Sequence, residues 1–352
     1  MNNKKYKNAI NQAIEDGVRF FFYRLPNTDT FSFGVQFNNA FVSPTGFCVM
    51  PFVESEKSVA VKIYAEYGID EYLQGGHKCG KSLQNDCSDI STSYEDYIKT
   101  AEQTIHLFET GVLQKMVLSR ILVQPYGQNS IDWGAVAITL TQKYPQAFVF
   151  AFYTPETGAW MGASPEILGR YHDSVFSTMA LAGTKPTGIG EWSEKEKTEQ
   201  EYVASYISEI IERCGFKYKM SGKYTRGAGN VEHLCNDFLV DVPSLADAMS
   251  LVGLLHPTPA LAGIPKDCAI HSIQQIERHS RKYYGGYLGP FTADGFDFFV
   301  NLRSMSFSSK SYTLYIGGGL TIDSVPEKEW NETRHKAQTL LNVINDYTDK
   351  KI

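Results

Sequence analysis

Apolar residues recur along this chain at two spacings, every second position in some stretches and every third or fourth in others. Residues 31–35 alternate aromatic or apolar with small or polar side chains, and 47–52 form a short apolar run; both predict strands. From 94 to 109 the apolar positions follow a helical period, with a start near Ser93. The stretch 115–124 then reads as a strand that ends at Pro125, which has no N–H to extend a ladder. A helix around 133–144 leads into a strongly apolar strand over 147–153. Val203, Tyr206, Ile207, Ile210 and Ile211 fall at i, i+3, i+4, i+7 and i+8. The segment 196–214 is therefore predicted to be an amphipathic helix, with Glu201 near the edge of its buried face. Alternation returns in strands near 296–303 and 312–316, followed by a glycine turn and a last helix over 326–347.

Helices and strands in this mixed order lack the regular β-α-β-α beat of a doubly wound sheet, which points to an α+β fold. Gly317–Gly319 has the spacing of neither a dinucleotide fingerprint nor a phosphate loop, so alone it predicts a tight turn. Segment 75–91, rich in Gly, Lys, Ser, Asp and Cys, reads as an exposed loop. With 352 residues, 43% of them hydrophobic and 20% charged, the chain has ample material for a core, in one large domain or two moderate ones. A net charge of −6 supplies no basic field for phosphate backbones, so no nucleic-acid partner is expected and any anionic ligand must be met by local cations. No apolar stretch has the length of a signal-peptide core or a bilayer span, so no membrane partner is expected and the expected location is cytoplasmic. The six cysteines, Cys48, Cys79, Cys87, Cys214, Cys235 and Cys268, form no C-x-x-C pair and read as reduced thiols.

Chemistry first shows near the end of the chain. Glu329, Glu332 and Lys336, spaced by three and four, put two carboxylates and an ammonium on one helical stripe. Such a stripe is commonly a solvated face. Two neighbouring carboxylates also repel unless a cation lies between them, and magnesium prefers carboxylate oxygens while keeping positions for water or substrate.

The wider motif series is specific. Lys115-Met-Val-Leu-Ser-Arg120, Gly162-Ala-Ser-Pro-Glu166, Leu181-Ala-Gly-Thr184, His256-Pro-Thr-Pro-Ala260, Tyr284-Gly-Gly-Tyr-Leu-Gly289, Asn301-Leu-Arg303 and the run from Gly317 to Glu332 follow one another in a fixed order. Over residues 93–345 this series resembles the chorismate-binding enzymes, the family of anthranilate, isochorismate and salicylate synthases. The resemblance implies one α+β domain over residues 1–352, with two sheets packed face to face, helices outside and an active site in a cleft between the sheets.

It also implies roles. Moving a hydroxyl from C4 to C2 of the chorismate ring needs a base to activate water and an acid to protonate the departing hydroxyl. Lys115 resembles the family's base and Glu166 its acid. The base must lose its proton and the acid must keep one, which calls for opposite pKa shifts. By the same resemblance Glu201 and Glu332, with Glu329 nearby, hold Mg2+ against the ring carboxylate, and Lys336 lies close to that charge. Arg303 pairs with the enolpyruvyl carboxylate, as suits a guanidinium, together with Tyr284 and the backbone amides around Gly318 and Gly319. Thr184 and His256 face the ring. One departure stands out: the family's helix often reads Lys-Asp-x-x-Glu-His, whereas Lys197-Thr-Glu-Gln-Glu-Tyr202 puts Thr198 and Tyr202 at the acidic and histidine positions.

The nucleophile separates the family's reactions. Anthranilate synthases, which use ammonia, usually carry glutamine where this chain has Lys115, and aminodeoxychorismate synthases carry a lysine where it has Ala182. Water is thus the expected nucleophile, and no glutaminase partner is expected. Isochorismate synthase is the expected activity, with salicylate synthase the alternative and anthranilate synthase component I behind both. Isochorismate feeds menaquinone or siderophore biosynthesis, and the motifs are common to both.

Overall fold

The computed structural model describes residues 2–348 except 57, 76–82, 84–88, 127–130, 189 and 230. It begins with α1 (Asn2–Asp16) and four strands, β1 (Arg19–Arg24), β2 (Ser32–Gln36), β3 (Gly46–Met50) and β4 (Val61–Tyr64). Next come α2 (Ile69–Gln74), α3 (Tyr94–Glu109), β5 (Lys115–Pro125) and α4 (Trp133–Lys143), then β6 (Phe148–Thr154), β7 (Gly158–Ser164), β8 (Ile167–His172) and β9 (Val175–Pro186). The middle of the chain holds α5 (Glu194–Arg213), β10 (Tyr218–Met220), β11 (Tyr224–Ala228), β12 (Val231–Asp241), α6 (Leu245–Leu255), β13 (Gly263–Ile264) and α7 (Lys266–Ile276). It closes with β14 (Tyr287–Phe291), β15 (Phe296–Val300), β16 (Ser304–Phe307), β17 (Ser311–Leu320) and α8 (Pro326–Ile344).

These strands form two antiparallel sheets. The first runs β13-β5-β17-β16-β7-β6-β1-β2, and the second β10-β12-β9-β8-β15-β14-β3-β4, with β11 also paired to β12. Because successive side chains of a strand point to opposite faces, β6 sends Phe148, Phe150 and Phe152 to one side and Val149, Ala151 and Tyr153 to the other. The phenylalanines meet Phe47, Val49, Leu288 and Phe299 of the second sheet in a shared aromatic layer. Phe148 stacks on Phe299 with ring centres 4.0 Å apart and planes 3° from parallel. The opposite face of the first sheet is covered by α1, α4 and α8, and that of the second by α5 and α6. The fold is thus α+β, two sheets face to face with helices outside.

Local signals set the element ends. Ser93 caps α3 by accepting from the Asp96 N–H, Asp132 caps α4 by accepting from the Ala135 N–H, and Pro326 opens α8. The glycine run differs from its expectation. Gly317–Gly319 is no turn but the interior of β17, opposite Ser119, Leu118 and Val117 of β5. A Cβ on Gly317 would stand 2.7 Å from the Tyr284 hydroxyl and one on Gly319 2.2 Å from a Glu199 oxygen, so bare backbone is what lets these groups approach. The expected loop 75–91 falls mostly outside the described residues, as do Cys79 and Cys87. The other four cysteines are unpaired. No helix among the described residues is long and apolar enough to cross a membrane.

Candidate active site

Between the sheets, where β5 and β17 face β9 and β12, a cavity is closed off by α5 and α8. It holds about 70 Å³ of free space, room for a few waters at about 30 Å³ each and little more. Glu166, Thr184, Tyr284, Arg303, Gly319 and Lys336 all line it.

A backbone irregularity aims part of this wall. Along β9 and β12, Thr184 pairs with His233 and Ala182 with Leu234, which leaves Gly183 as the extra residue of a bulge, at φ 69°. A side chain there would also strike the Glu196 carbonyl of α5 at 2.7 Å. The bulge turns Thr184 and His233 into the cavity, with the Thr184 hydroxyl 3.2 Å from His233 Nδ1. Burial, and then Arg303 and Lys336, pull the His233 pKa down to about 3, so the ring is neutral. With Nδ1–H donating to the Gly183 carbonyl at 2.9 Å, Nε2 is left to face an Arg303 N–H at 3.4 Å. His233 escaped the sequence reading because only the pairing of β9 with β12 brings it to this wall.

Glu166 is 2% exposed, and burial lifts its pKa to about 8 although Lys115 pulls it down. Lys115, at the start of β5, is fully buried and stands 3.1 Å from Glu199 of α5. Arg303 sits at φ 48°, uncommon for a residue with a side chain, and a glycine at 162 lets its carbonyl pass close to β7. Its guanidinium bonds the Lys336 carbonyl at 3.3 Å, and no carboxylate lies within ion-pair reach among the described residues. A half-buried arginine facing a cavity without an ion-pair partner can pair with an anion that enters it. Tyr284 stacks near Tyr315 and points its hydroxyl over Gly317.

Six expected residues do not line this cavity: Lys115, Gly318, Glu329 and Glu332 lie beside residues that do, whereas Glu201 and His256 stand away from it. Glu201 is exposed and paired with Lys223 at 2.9 Å. Glu199 lines the cavity instead. Residues two apart on a helix point about 200° apart, so Glu199 shares the face of Val203 while Glu201 faces away. Extending the apolar stripe back one turn from Val203 would have found it. In that register Lys195-Glu196-Lys-Thr-Glu199-Gln200 supplies the acidic position, and Gln200, bonded to Asn236 at 2.6 Å, replaces the histidine. In that register Thr198 and Tyr202 do not stand at the acidic and histidine positions. His256 ends α6, with Nε2 held 3.1 Å from the Pro51 carbonyl and its ring edge-on to Tyr287. From that segment Ala260 and Leu261 reach the cavity.

The remaining carboxylates gather over the glycine strand. A Cβ on Gly318 would lie 3.5 Å from Glu332 and 3.6 Å from Glu329. Glu329 is 2% exposed, and its Oε2 has no hydrogen-bond partner. Burial and then Glu332 raise its pKa, against Lys195. Glu199 is pushed up by burial but held below its ordinary value by Lys115, Lys195 and Lys336. Each acid has a lysine partner: Glu199 has Lys115, Glu329 has Lys195, and Glu332 has Lys336 at 2.6 Å. Among the described residues no three metal-binding side chains stand close enough, as they are, to enclose an ion. Glu199, Glu329 and Glu332 are nonetheless oxygen donors of the kind a hard divalent cation prefers, and one of their oxygens, Glu329 Oε2, is buried without a partner.

Fold and site together define an enzyme of chorismate chemistry. The family model for chorismate binding enzymes matches residues 69–345, and this chain belongs to that family. It is 31% identical over 266 residues to the isochorismate synthase EntC of Escherichia coli K12, covering 72% of this chain and 67% of that one. Anthranilate synthase component 1 of Saccharolobus solfataricus is 24% identical over 271 residues, covering 73% of this chain and 63% of that one. In structure the chain is similar to DhbC of Bacillus anthracis, described as a putative 2,3-dihydroxybenzoate-specific isochorismate synthase. The TM-score is 0.78 and the identity 22%, over 98% of this chain and all of that one.

Proposed function

We propose that the protein is an isochorismate synthase that uses Mg2+. The observation that carries the reading is Glu166, a buried carboxyl whose pKa near 8 keeps it protonated at neutral pH in a cavity that Lys115 borders through Glu199. In this reading Lys115 takes a proton from water as the oxygen bonds C2. Both ring double bonds shift in turn around the far side of the ring, the C4–O bond breaks, and Glu166 delivers its proton to the hydroxyl that leaves as water. Lys115 exchanges Glu199 for that water. Arg303 holds one substrate carboxylate, with the Tyr284 hydroxyl and the amides near Gly318 and Gly319 beside it, and neutral His233 fixes the guanidinium. Glu199, Glu329 and Glu332 would hold the magnesium, which when bound supplies positive charge against the ring carboxylate.

Ala182 in place of a lysine and Lys115 in place of a glutamine support water as the nucleophile over a covalent or ammonia route. Chromatography of products from chorismate and magnesium, with and without ammonia, tests the choice. Isochorismate without ammonia is expected. Salicylate with pyruvate, or anthranilate only with ammonia, would replace the reading.

A further inference from the structure

A second cavity, of about 470 Å³, adjoins the first, and Pro165 and Arg303 line both. Its walls are the end of α4 with the turn after it, β11, and α8. The tip of the β11–β12 hairpin closes one side: a Cβ on Gly229 would lie 3.3 Å from the Tyr144 ring and 3.6 Å from the Thr339 hydroxyl. Its size suits a small organic ligand, which the inner cavity in its present form does not.

The charged residues lining this outer cavity are Lys143, Arg226 and Arg303, and among the described residues no carboxylate lines it. In a chain of net charge −6 that is a local reversal of sign. Lys143 is tied at the rim, donating to the Asn342 carbonyl at 2.6 Å and lying 3.8 Å from Asp346. Arg226, on β11, is half-buried and has no carboxylate within 4.0 Å among the described residues. Its charge, like that of Arg303, acts on His233 in the inner cavity. A low-dielectric cleft lined by one sign of charge concentrates ligands of the other sign.

We propose that the outer cavity is the vestibule through which an anionic substrate reaches the inner site, and that Arg226 captures a carboxylate there before Arg303 receives it. The proposal rests on the reading of the inner site as one for a dicarboxylate. Two uses of the cations follow from their positions: Arg226 and Lys143 attract from solvent, and Arg303, common to both cavities, draws the ligand inward.

The test is the association rate of chorismate, and of the unreactive dicarboxylate isophthalate, followed by stopped-flow tryptophan fluorescence across ionic strength. Arg226→Gln is expected to slow association about three- to tenfold at low salt and to flatten its salt dependence. Arg226→Glu should slow it further and Arg226→Lys should restore most of it. A rate and salt slope unchanged in Arg226→Gln overturn the proposal. So does a loss that Arg226→Lys leaves unrestored, which marks a packing role, or a wild type that captures neither dicarboxylate. Capture of isophthalate that depends on Arg226, in a protein that leaves chorismate unchanged, supports the vestibule and refutes the reaction.

Discussion

Replacing Glu166 by glutamine removes the proposed proton donor while keeping its shape, and should trade turnover for stability in a pH-dependent way. Burial lifts this carboxyl from 4.5 to about 8, and a rise of about 3.5, at about 1.36 kcal/mol for each, corresponds to about 5 kcal/mol. The folded value is the higher one. The group's contribution is therefore fully favourable below about pH 4.5, is lost progressively as pH rises toward about 8, and is gone above it. Glutamine does not ionise and escapes this loss. Urea midpoints near pH 5 should be nearly equal for the two proteins. Near pH 9 Glu166→Gln should be the more stable by several kcal/mol, up to about 5. Its turnover should fall about a hundred- to ten-thousand-fold, and wild-type turnover should decline as pH rises past about 8. An identical midpoint difference at both pH values would refute the burial argument. Near-normal turnover would remove Glu166 from the reaction.

The corrected helix register is tested by a pair of variants: Glu199→Gln should abolish magnesium-dependent turnover, while Glu201→Gln, altering only an exposed pair with Lys223, should change it less than about twofold. Lys115→Gln should lose isochorismate formation by a similar factor to Glu166→Gln while still binding chorismate in a fluorescence titration. Arg303→Gln should weaken chorismate affinity by about 1.5–3 kcal/mol, the worth of a hydrogen bond to a charged group, read as a KM raised roughly tenfold or more.

Where apolar period and cap coincide, the sequence was legible. Ser93 before a helical run, Pro125 after an alternating one and Pro326 ahead of the last helix each mark a boundary found in the structure within a residue or so. At the site such local rules gave way to contacts. Three consecutive glycines read as a turn, yet they form a strand because Tyr284 and Glu199 need its bare face. Glu199 was obscured by a two-residue shift that a motif tolerates and a helix does not. His233 depends on a bulge at Gly183, visible only once β9 and β12 are paired. The buried stripe of α1, Ala9, Ile10, Ala13 and Ile14, also falls at helical spacing in the sequence.

The claim at the centre of this account is that water, activated beside Lys115, supplies the new hydroxyl while Glu166 releases the old one. Mass spectrometry of isochorismate formed from chorismate in oxygen-18 water measures that directly, provided the sample is taken early, before the reverse reaction mixes the label. The account predicts one labelled oxygen, located on C2. Isochorismate formed without label would mean that the original hydroxyl had migrated within the ring, and the division of labour between Lys115 and Glu166 would be wrong.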